Sequence, residues 1–89
     1  MDASLGGTGT VRVRFFARYA ELAGRVEGIL AVPLPATVGD VLARARREWP
    51  GAAALPAEPL AALNRRQSAL DSPVSDGDEV ALLPPFAGG

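Results

Sequence analysis

The segment that decides the fold is TVGDVLARARREW, residues 37–49, because it carries a clear helical pattern. Thr37 is a preferred N-cap residue, and Asp40 stands at the capping-box position, although Asp is shorter than the preferred Glu. Pro50-Gly51 follows directly and predicts the end of the helix. Helical spacing gathers the apolar side chains on one face, which predicts packing against a core. These side chains are Val38, Val41, Leu42, Ala45 and Trp49.

The opposite face of this helix is charged. Arg44, Arg47 and Glu48 fall largely on it. We interpret the cluster of Arg44, Arg46 and Arg47 as a solvated face, with a contact to a partner protein as the alternative.

Upstream of the helix the pattern is that of strands. Val11, Val13 and Phe15 alternate with polar residues, and this period of two predicts a half-buried strand. Residues 19–22 predict a short helical turn that ends at Gly24. A second strand is predicted over residues 26–34, and its closeness in sequence to the first favours an antiparallel pair.

Downstream of the helix, residues 51–59 predict a loop, and residues 71–78 are rich in turn-forming residues. Strands are predicted at residues 60–64, 67–70 and 79–83, with Arg65-Arg66 as the turn between the first two. The carboxylates of Asp76, Asp78 and Glu79 are interpreted as turn chemistry rather than as cation ligands, so no metal site is predicted.

The element order β-β-α-β-β-β predicts an α+β protein of the β-grasp, or ubiquitin-like, class, with a mixed sheet and one main helix packed on one face. In this arrangement the first and last strands lie side by side at the centre of the sheet. One core is expected between sheet and helix. Its predicted members are Val11, Val13, Phe15, Val41, Leu42, Val80 and Leu82.

The composition of these 89 residues suits one small domain, with 48% hydrophobic residues and a net charge of -1. We predict a flexible lead-in over residues 1–9, a β-grasp domain over residues 10–83 and an extended tail over residues 84–89. The charge argues against nucleic acid as a partner. No signal peptide or membrane-spanning stretch is visible, so a cytoplasmic location without membrane association is expected.

Reactive side chains are scarce, since the chain contains no histidine, no cysteine and no lysine. Zinc sites of the usual kind, Cys or His nucleophiles and lysine Schiff bases are therefore excluded. We do not expect an enzyme that acts on its own, and no cofactor is expected to bind this chain. If the chain takes part in covalent chemistry, its backbone terminus is the best remaining candidate.

The tail offers such a terminus. It reads Leu83-Pro84-Pro85-Phe86-Ala87-Gly88-Gly89 and is uncharged apart from its carboxylate. Glycine lacks a Cβ, so the last two residues can enter a channel too narrow for other residues. The two prolines favour an extended course. We therefore predict that Gly89 presents its carboxylate for chemistry in a partner, with residues 83–88 contacting that partner.

Three stretches resemble the small subunit of molybdopterin synthase, within the MoaD/ThiS group of ubiquitin-like sulfur carriers. They are residues 15–24 (FFARYAELAG), residues 37–42 (TVGDVL), and Asn64 together with residues 76–89 (DGDEVALLPPFAGG). Phe86 departs from the family, which more often has a small or β-branched residue there. An aromatic ring at this position is suited to anchoring in a partner's pocket.

The resemblance implies a mechanism and a set of partners. An E1-like activating enzyme uses ATP to adenylate the carboxylate of Gly89, and a sulfur donor converts the adenylate into a thiocarboxylate. The tail then enters the large subunit of molybdopterin synthase, where the sulfur attacks a cyclic pyranopterin during molybdenum cofactor biosynthesis. The catalytic side chains belong to the large subunit.

Three alternatives remain open from the sequence. The chain could carry sulfur for another pathway, such as thiamine, cysteine or tRNA thiolation. It could be a protein modifier joined to lysines through Gly89, which an isopeptide linkage found in cells would establish. It could also be an interaction domain with an inert tail, in which case removal of Gly89 leaves its function intact.

Overall fold

The computed structural model describes residues 7–85. Its secondary structure consists of β1 (Gly7–Phe15), α1 (Arg18–Ala23), β2 (Glu27–Leu34), β3 (Ala36–Thr37), α2 (Val38–Glu48), a 3-10 helix (Pro50–Ala54), β4 (Leu60–Leu63), β5 (Arg66–Ser68), β6 (Pro73–Val74) and β7 (Glu79–Leu83).

Five strands form the main sheet in the order β2-β1-β7-β4-β5, and β3 pairs with β6 in a separate two-stranded ribbon. The central pair, β1 and β7, is parallel, with Val13 opposite Val80 and Phe15 opposite Leu82. All other pairs in the main sheet are antiparallel. The prediction of a β-grasp fold with its first and last strands adjacent at the centre is therefore confirmed.

Helix α2 begins with the capping box that the sequence predicted. The Thr37 hydroxyl accepts a hydrogen bond from the backbone N–H of Asp40 at 3.1 Å. In return, the Asp40 carboxylate accepts one from the backbone N–H of Thr37 at 2.9 Å. Two N–H groups that lack partners within the helix are thereby satisfied, which fixes the first turn of α2.

The core lies between α2 and the main sheet. Every predicted core side chain is buried, and Val13, Val80 and Leu82 have no exposed surface. Trp49 forms the C-cap of α2 and is only partly buried. Its ring meets Phe15 edge-on, with 5.9 Å between ring centroids, and so joins the end of the helix to β1.

The first strand is longer than predicted. The predicted lead-in includes residues 7–9, but these residues extend β1, because Gly7, Thr8 and Gly9 pair with Leu34, Pro33 and Val32 of β2. Glycine has a low strand propensity, so the sequence pattern does not reveal this pairing. The remainder of the predicted lead-in, residues 1–6, lies outside the described residues.

Short elements in the second half also differ from prediction. Asn64 and Arg65 adopt positive φ angles of 50° and 72°, so the β4–β5 turn is tighter than expected. As a result β5 starts at Arg66 and ends at Ser68, two residues before the predicted end at Leu70. The loop after α2 contains the 3-10 helix, and Pro73–Val74 pairs with β3 instead of forming only a turn.

We expect the Leu42→Ala substitution to lower the free energy of unfolding by about 2–5 kcal/mol, as buried leucine truncations do. The Leu42 side chain is only 4% exposed, so its loss leaves a cavity between α2 and the sheet. Chemical denaturation measures the change. The matched control is Leu22→Ala, because Leu22 is 42% exposed. Equal losses in the two variants would contradict the placement of Leu42 in the core.

Candidate functional site at the root of the C-terminal tail

Strand β7 holds the root of the tail at the centre of the sheet. It pairs with β1 on one side and with β4 on the other. At its end the Leu82 carbonyl accepts a hydrogen bond from the N–H of Phe16 at 3.2 Å, and Leu83 lies opposite Leu60. The chain then continues as Pro84 and Pro85, which belong to no strand. The tail therefore leaves from a backbone that is fixed on both sides.

The turn before β7 is fixed by its carboxylates. Asp76 accepts hydrogen bonds from the backbone N–H of Thr10 at 2.7 Å and from its hydroxyl at 3.3 Å. Asp78 accepts bonds from the N–H of Ser75 at 2.7 Å and from the side-chain amide of Asn64 at 3.0 Å. Gly77 has a φ of 89°, which favours glycine. Asp76 and Asp78 thus act as turn residues that join β7 to β1 and β4.

Asn64 completes this network from the β4–β5 turn. Its side-chain oxygen accepts a hydrogen bond from the N–H of Glu79 at 2.9 Å, while its backbone N–H donates to the Glu79 carbonyl at 2.8 Å. The first residue of β7 is consequently bonded to Asn64 by both backbone and side chain. This explains why the register of β7 is defined from its first residue.

A groove of about 340 Å³ adjoins the root of the tail, and we call it the tail groove. Helix α1 forms one wall and the 3-10 segment forms the other. Pro84 is half-buried and Pro85 is exposed along it. The lining side chains are Arg18, Tyr19, Leu22, Ala54, Pro56, Pro84 and Pro85. The first residues of the tail thus have a shaped, largely apolar surface beside them.

Arg46 supports the loop wall of the tail groove, so its interpretation as part of a solvated face is wrong. The guanidinium donates hydrogen bonds to the carbonyl oxygens of Ala52 at 3.2 Å, Leu55 at 2.9 Å and Pro56. These contacts satisfy carbonyls of an irregular segment that has few backbone partners. Arg46 therefore ties α2 to the loop beside the tail.

The open face of the main sheet carries charged and apolar side chains side by side. Arg12 and Arg14 lie 3.5 Å and 3.9 Å from the carboxylate of Glu27, and Arg14 lies 3.8 Å from Glu79. Arg14 also covers the Phe16 ring, at 5.0 Å from its centroid. These pairs are partly exposed and contribute little to stability, so their significance is the polar surface that they offer.

Apolar side chains border this charged row. Ile29 is 59% exposed and Leu60 is 41% exposed. Leu60 lies directly opposite Leu83, which is half-buried at the tail root. The open face therefore combines an apolar border near the tail with ion pairs at its centre, a mixture that is common at protein interfaces.

Three of the predicted site residues, Leu83, Pro84 and Pro85, lie together at the end of β7. The predictions for Phe86, Ala87, Gly88 and Gly89 fall outside the described residues. Sequence reasoning missed the tail groove, because its walls come from α1 and from the 51–59 loop. Neither segment carries a chemical signature that would have suggested a position beside the tail.

Within residues 7–85, no helix has the length and apolar character needed to cross a membrane. The same residues contain no cluster of three or more histidine, cysteine, aspartate or glutamate side chains suited to a metal ion.

Two comparisons of the sequence with known proteins found similar proteins. The profile of the ThiS family matches residues 13–89. The molybdopterin synthase sulfur carrier subunit of Escherichia coli (strain K12) is 35% identical over 81 residues, which cover 89% of this chain and 99% of that protein.

Solved structures of proteins with a similar fold also match this chain. SAMP1 from Haloferax volcanii superposes with a TM-score of 0.80 at 31% identity, covering 91% of this chain and 100% of that one. Subunits 1 and 2 of the molybdopterin-converting factor from Helicobacter pylori 26695 were solved as a protein–protein complex. The matched chain of that complex gives a TM-score of 0.64 at 27% identity, covering 90% of this chain and 99% of its own.

The fold and the placement of the tail define a ubiquitin-like protein of the β-grasp class. Because the family profile and a relative above 30% identity both span most of the sequence, the chain belongs to the ThiS family.

We expect Arg46→Ala to lower the free energy of unfolding by about 2 kcal/mol, because hydrogen bonds from a charged donor to partly buried carbonyls are lost. Arg47→Ala is the matched control, since Arg47 is exposed one position further along α2. The control should change stability by less than about 0.5 kcal/mol. Thermal and denaturant unfolding of both variants measures the difference. If the Arg46 variant is as stable as the Arg47 variant, the conclusion that Arg46 holds the loop to α2 is contradicted.

Proposed function

We propose that this chain is the sulfur-carrier small subunit of a molybdopterin synthase. The observation that carries the proposal is the exit of the tail from a central strand that is paired on both sides, in a chain whose sequence ends in Gly88-Gly89. Similarity to the E. coli sulfur carrier over most of both chains supports it.

The structure supports delivery of the carboxylate into a partner's site. Residues 84–89 reach about 20 Å when fully extended. Their first residue follows a strand held by hydrogen bonds on both sides, so the direction in which the tail starts is fixed. Because the root is fixed, only the tail itself must find the conformation in which the carboxylate reaches the reaction site. Such positioning of a reacting group lowers the entropic cost of the reaction.

The chemistry that we propose uses only the carboxylate of Gly89. An E1-like enzyme transfers AMP from ATP to this carboxylate and releases pyrophosphate. A sulfur donor at the oxidation level of hydrosulfide then attacks the acyl carbon, and AMP leaves. The product is a thiocarboxylate in which one oxygen has been exchanged for sulfur. Adenylation is needed because a free carboxylate has no good leaving group.

The large subunit of molybdopterin synthase is the proposed acceptor of the loaded tail. Support comes from the H. pylori complex of molybdopterin-converting factor subunits 1 and 2, which contains a chain of this fold. A chain without histidine, cysteine or lysine has few groups for acid–base catalysis, so we assign the catalytic side chains to the large subunit. There the sulfur attacks a carbon of the cyclic pyranopterin and displaces an oxygen substituent, and water then cleaves the acyl–sulfur bond, which leaves the sulfur on the pterin and restores the carboxylate of Gly89. We place this chemistry in the cytoplasm.

A second candidate is conjugation to proteins through Gly89. It is favoured by the fit to small archaeal modifier protein 1 (SAMP1) of Haloferax volcanii, two structures of which superpose on this chain at TM-scores of 0.80 and 0.76. Both functions begin with activation of the terminal carboxylate and differ in the nucleophile that follows. Mass analysis of cellular adducts separates them, because only the modifier leaves Gly89 joined to a lysine of another protein.

Changes at the last two residues test the carrier function directly. We expect Gly88→Val and deletion of Gly89 to abolish product formation with little change in stability, because the core ends at β7. Valine adds a branched side chain where the channel should admit only backbone. The assay is the exchange of oxygen for sulfur by intact mass, followed by pyranopterin conversion with the large subunit present.

The control for these variants is Ser4→Ala at the other end of the chain, which should load and deliver sulfur as the parent does. Product formation at the parental rate by the chain lacking Gly89 would exclude the carrier function. The inert-tail alternative would then stand.

Phe86→Ala tests the aromatic anchor. We expect it to raise the Kd for the large subunit about tenfold or more, since truncation of an aromatic anchor at an interface costs about 2 kcal/mol. The thermal midpoint of the free chain should not change. Isothermal titration calorimetry measures the affinity, with Ser4→Ala, outside the predicted contact residues, as the control. Equal affinity of Phe86→Ala and parent would remove Phe86 from the interface.

A further inference from the structure

A second groove lies between the edge strand β2 and helix α2, and we call it the β2–α2 groove. Its volume is about 390 Å³. Apolar side chains of Val32, Pro33, Ala36 and Ala43 line it, and Arg44 and Arg47 stand along its helix side. None of these residues takes part in the tail groove. The β2–α2 groove is therefore a separate surface with its own chemistry.

The strand beside this groove has an unpaired edge. Among residues 7–85, β2 is the outermost strand of the main sheet and pairs only with β1. The carbonyl of Val26 points inward, because it accepts a hydrogen bond from the N–H of Phe15. The unbroken register of β1 and β2 carries this alternation along the strand. The backbone groups of Ile29, Ala31 and Pro33 therefore point outward.

The position of Pro33 agrees with this direction. Proline has no N–H to donate, and in sheets it is tolerated where its nitrogen faces away from the neighbouring strand. The outward edge of β2 thus offers the N–H and C=O groups of Ile29 and Ala31 and the C=O of Pro33. These groups form a template on which another extended segment can add.

The arginines give the groove a positive side. Within the described part of the chain, the Nε atom of Arg44 is buried and has no hydrogen-bond partner. Among the ion pairs of residues 7–85, none includes Arg44 or Arg47. Asp40 is the groove's acidic residue, and its carboxylate accepts the N–H of Thr37 in the capping box. Two guanidinium groups therefore adjoin an apolar groove, and a buried donor on one of them is unsatisfied.

We infer that the β2–α2 groove binds an extended peptide segment of a partner protein that carries apolar residues next to acidic ones. The segment adds to the edge of β2 as a further strand of the main sheet. Its backbone pairs with Ile29 and Ala31, its apolar side chains fill the groove, and its carboxylates meet Arg44 and Arg47. This occupant satisfies the open strand edge, the apolar lining and the positive charge together.

A free anion such as inorganic phosphate would match only the arginines and would leave the apolar lining and the strand edge uncovered. An extended peptide could contact the strand edge, the apolar lining and the arginines at the same time. The strand edge and the helix face are two long walls, which suits a ligand that is extended along both of them.

The location makes this binding independent of the tail. Val32 and Pro33 pair with Gly9 and Thr8 at the start of β1, whereas the tail leaves beside Phe16 at its end. Ile29, the paired residue nearest the tail, lies opposite Arg12, and at about 3.3 Å per residue the stretch of β1 between Arg12 and Phe15 spans about 10 Å. A partner that holds the groove therefore leaves the tail free. The groove goes beyond the proposed sulfur-carrier function and does not depend on it.

The test uses the full chain, labelled with ¹⁵N, and a synthetic peptide in which a run of valine and isoleucine is followed by aspartates. We expect the peptide to shift the amide resonances of Ile29, Ala31, Ala36 and Ala43. A control peptide with asparagine in place of aspartate should bind about tenfold more weakly, as expected for the loss of charge pairs at an interface. Shifts confined to other parts of the chain, or none at saturating peptide, would overturn the inference.

Two protein variants separate charge from strand addition. Arg47→Glu should weaken binding about tenfold or more, while Arg66→Glu, the same change on the far edge of the sheet, should not. Ala31→Pro removes an outward N–H without breaking a bond to β1 and should weaken binding, while Ala31→Val should not. Thermal midpoints verify that every variant is folded.

Equal binding by Arg47→Glu and the parent would overturn the inference, and so would equal binding by Ala31→Pro and Ala31→Val. A chain lacking residues 1–6 provides the last measurement. If the peptide binds only to that truncated chain, the occupant of the groove is the chain's own segment of residues 1–6. A partner segment would then be excluded as its occupant.

Discussion

The parallel pairing of β1 with β7 is the constraint on which the rest of the structure depends. Parallel strands end at the same edge of a sheet, so the segments that follow them must meet there. After β1 comes α1, and after β7 come Pro84 and Pro85. The tail groove forms where these segments meet, with its second wall supplied by the loop that Arg46 holds to α2. The surroundings of the tail therefore follow from the topology of two strands rather than from a dedicated binding loop.

The same topology separates the two surfaces of the molecule. Since β2 runs antiparallel to β1, the end of β2 lies beside the start of β1. The chain then turns through β3 into α2, which brings the face carrying Arg44 and Arg47 next to the edge of β2. One end of the sheet thus carries the root of the tail, and the other carries the open edge of β2 beside two arginines. The two proposed partners would therefore contact different residues of this small domain.

Much of the fold could be predicted from the sequence because the strongest signals are local. The period of two in β1 and the capping box at Thr37 each lie within a few residues of chain. Three features escaped prediction because they depend on distant parts of the chain. The glycine-rich start of β1 becomes a strand only by pairing with β2. Pro73–Val74 becomes a strand only against β3. Arg46 looks like a surface residue until the 3-10 segment folds back over α2. Of the predicted site, the structure describes only the root, residues 83–85. Its neighbours in α1 lie beside it because β1 and β7 are parallel, which the local sequence of α1 does not indicate.

A chain without histidine, cysteine or lysine suits a protein whose contribution is position rather than reactivity. Ordering a flexible residue costs about 1–2 kcal/mol of conformational entropy, so a freely jointed tail would lose much of its binding energy on entering a narrow channel. Here the ladder on both sides of β7 removes that cost up to Leu83, and proline restricts φ at the next two residues. The other four residues of the tail, residues 86–89, include two glycines. Glycine has the largest entropy to lose, yet it alone leaves the backbone unobstructed. Because the root is already ordered, the entropy lost on binding is confined to the end of the tail. The hydrogen bonds at the centre of the sheet thus favour the chemistry proposed for Gly89.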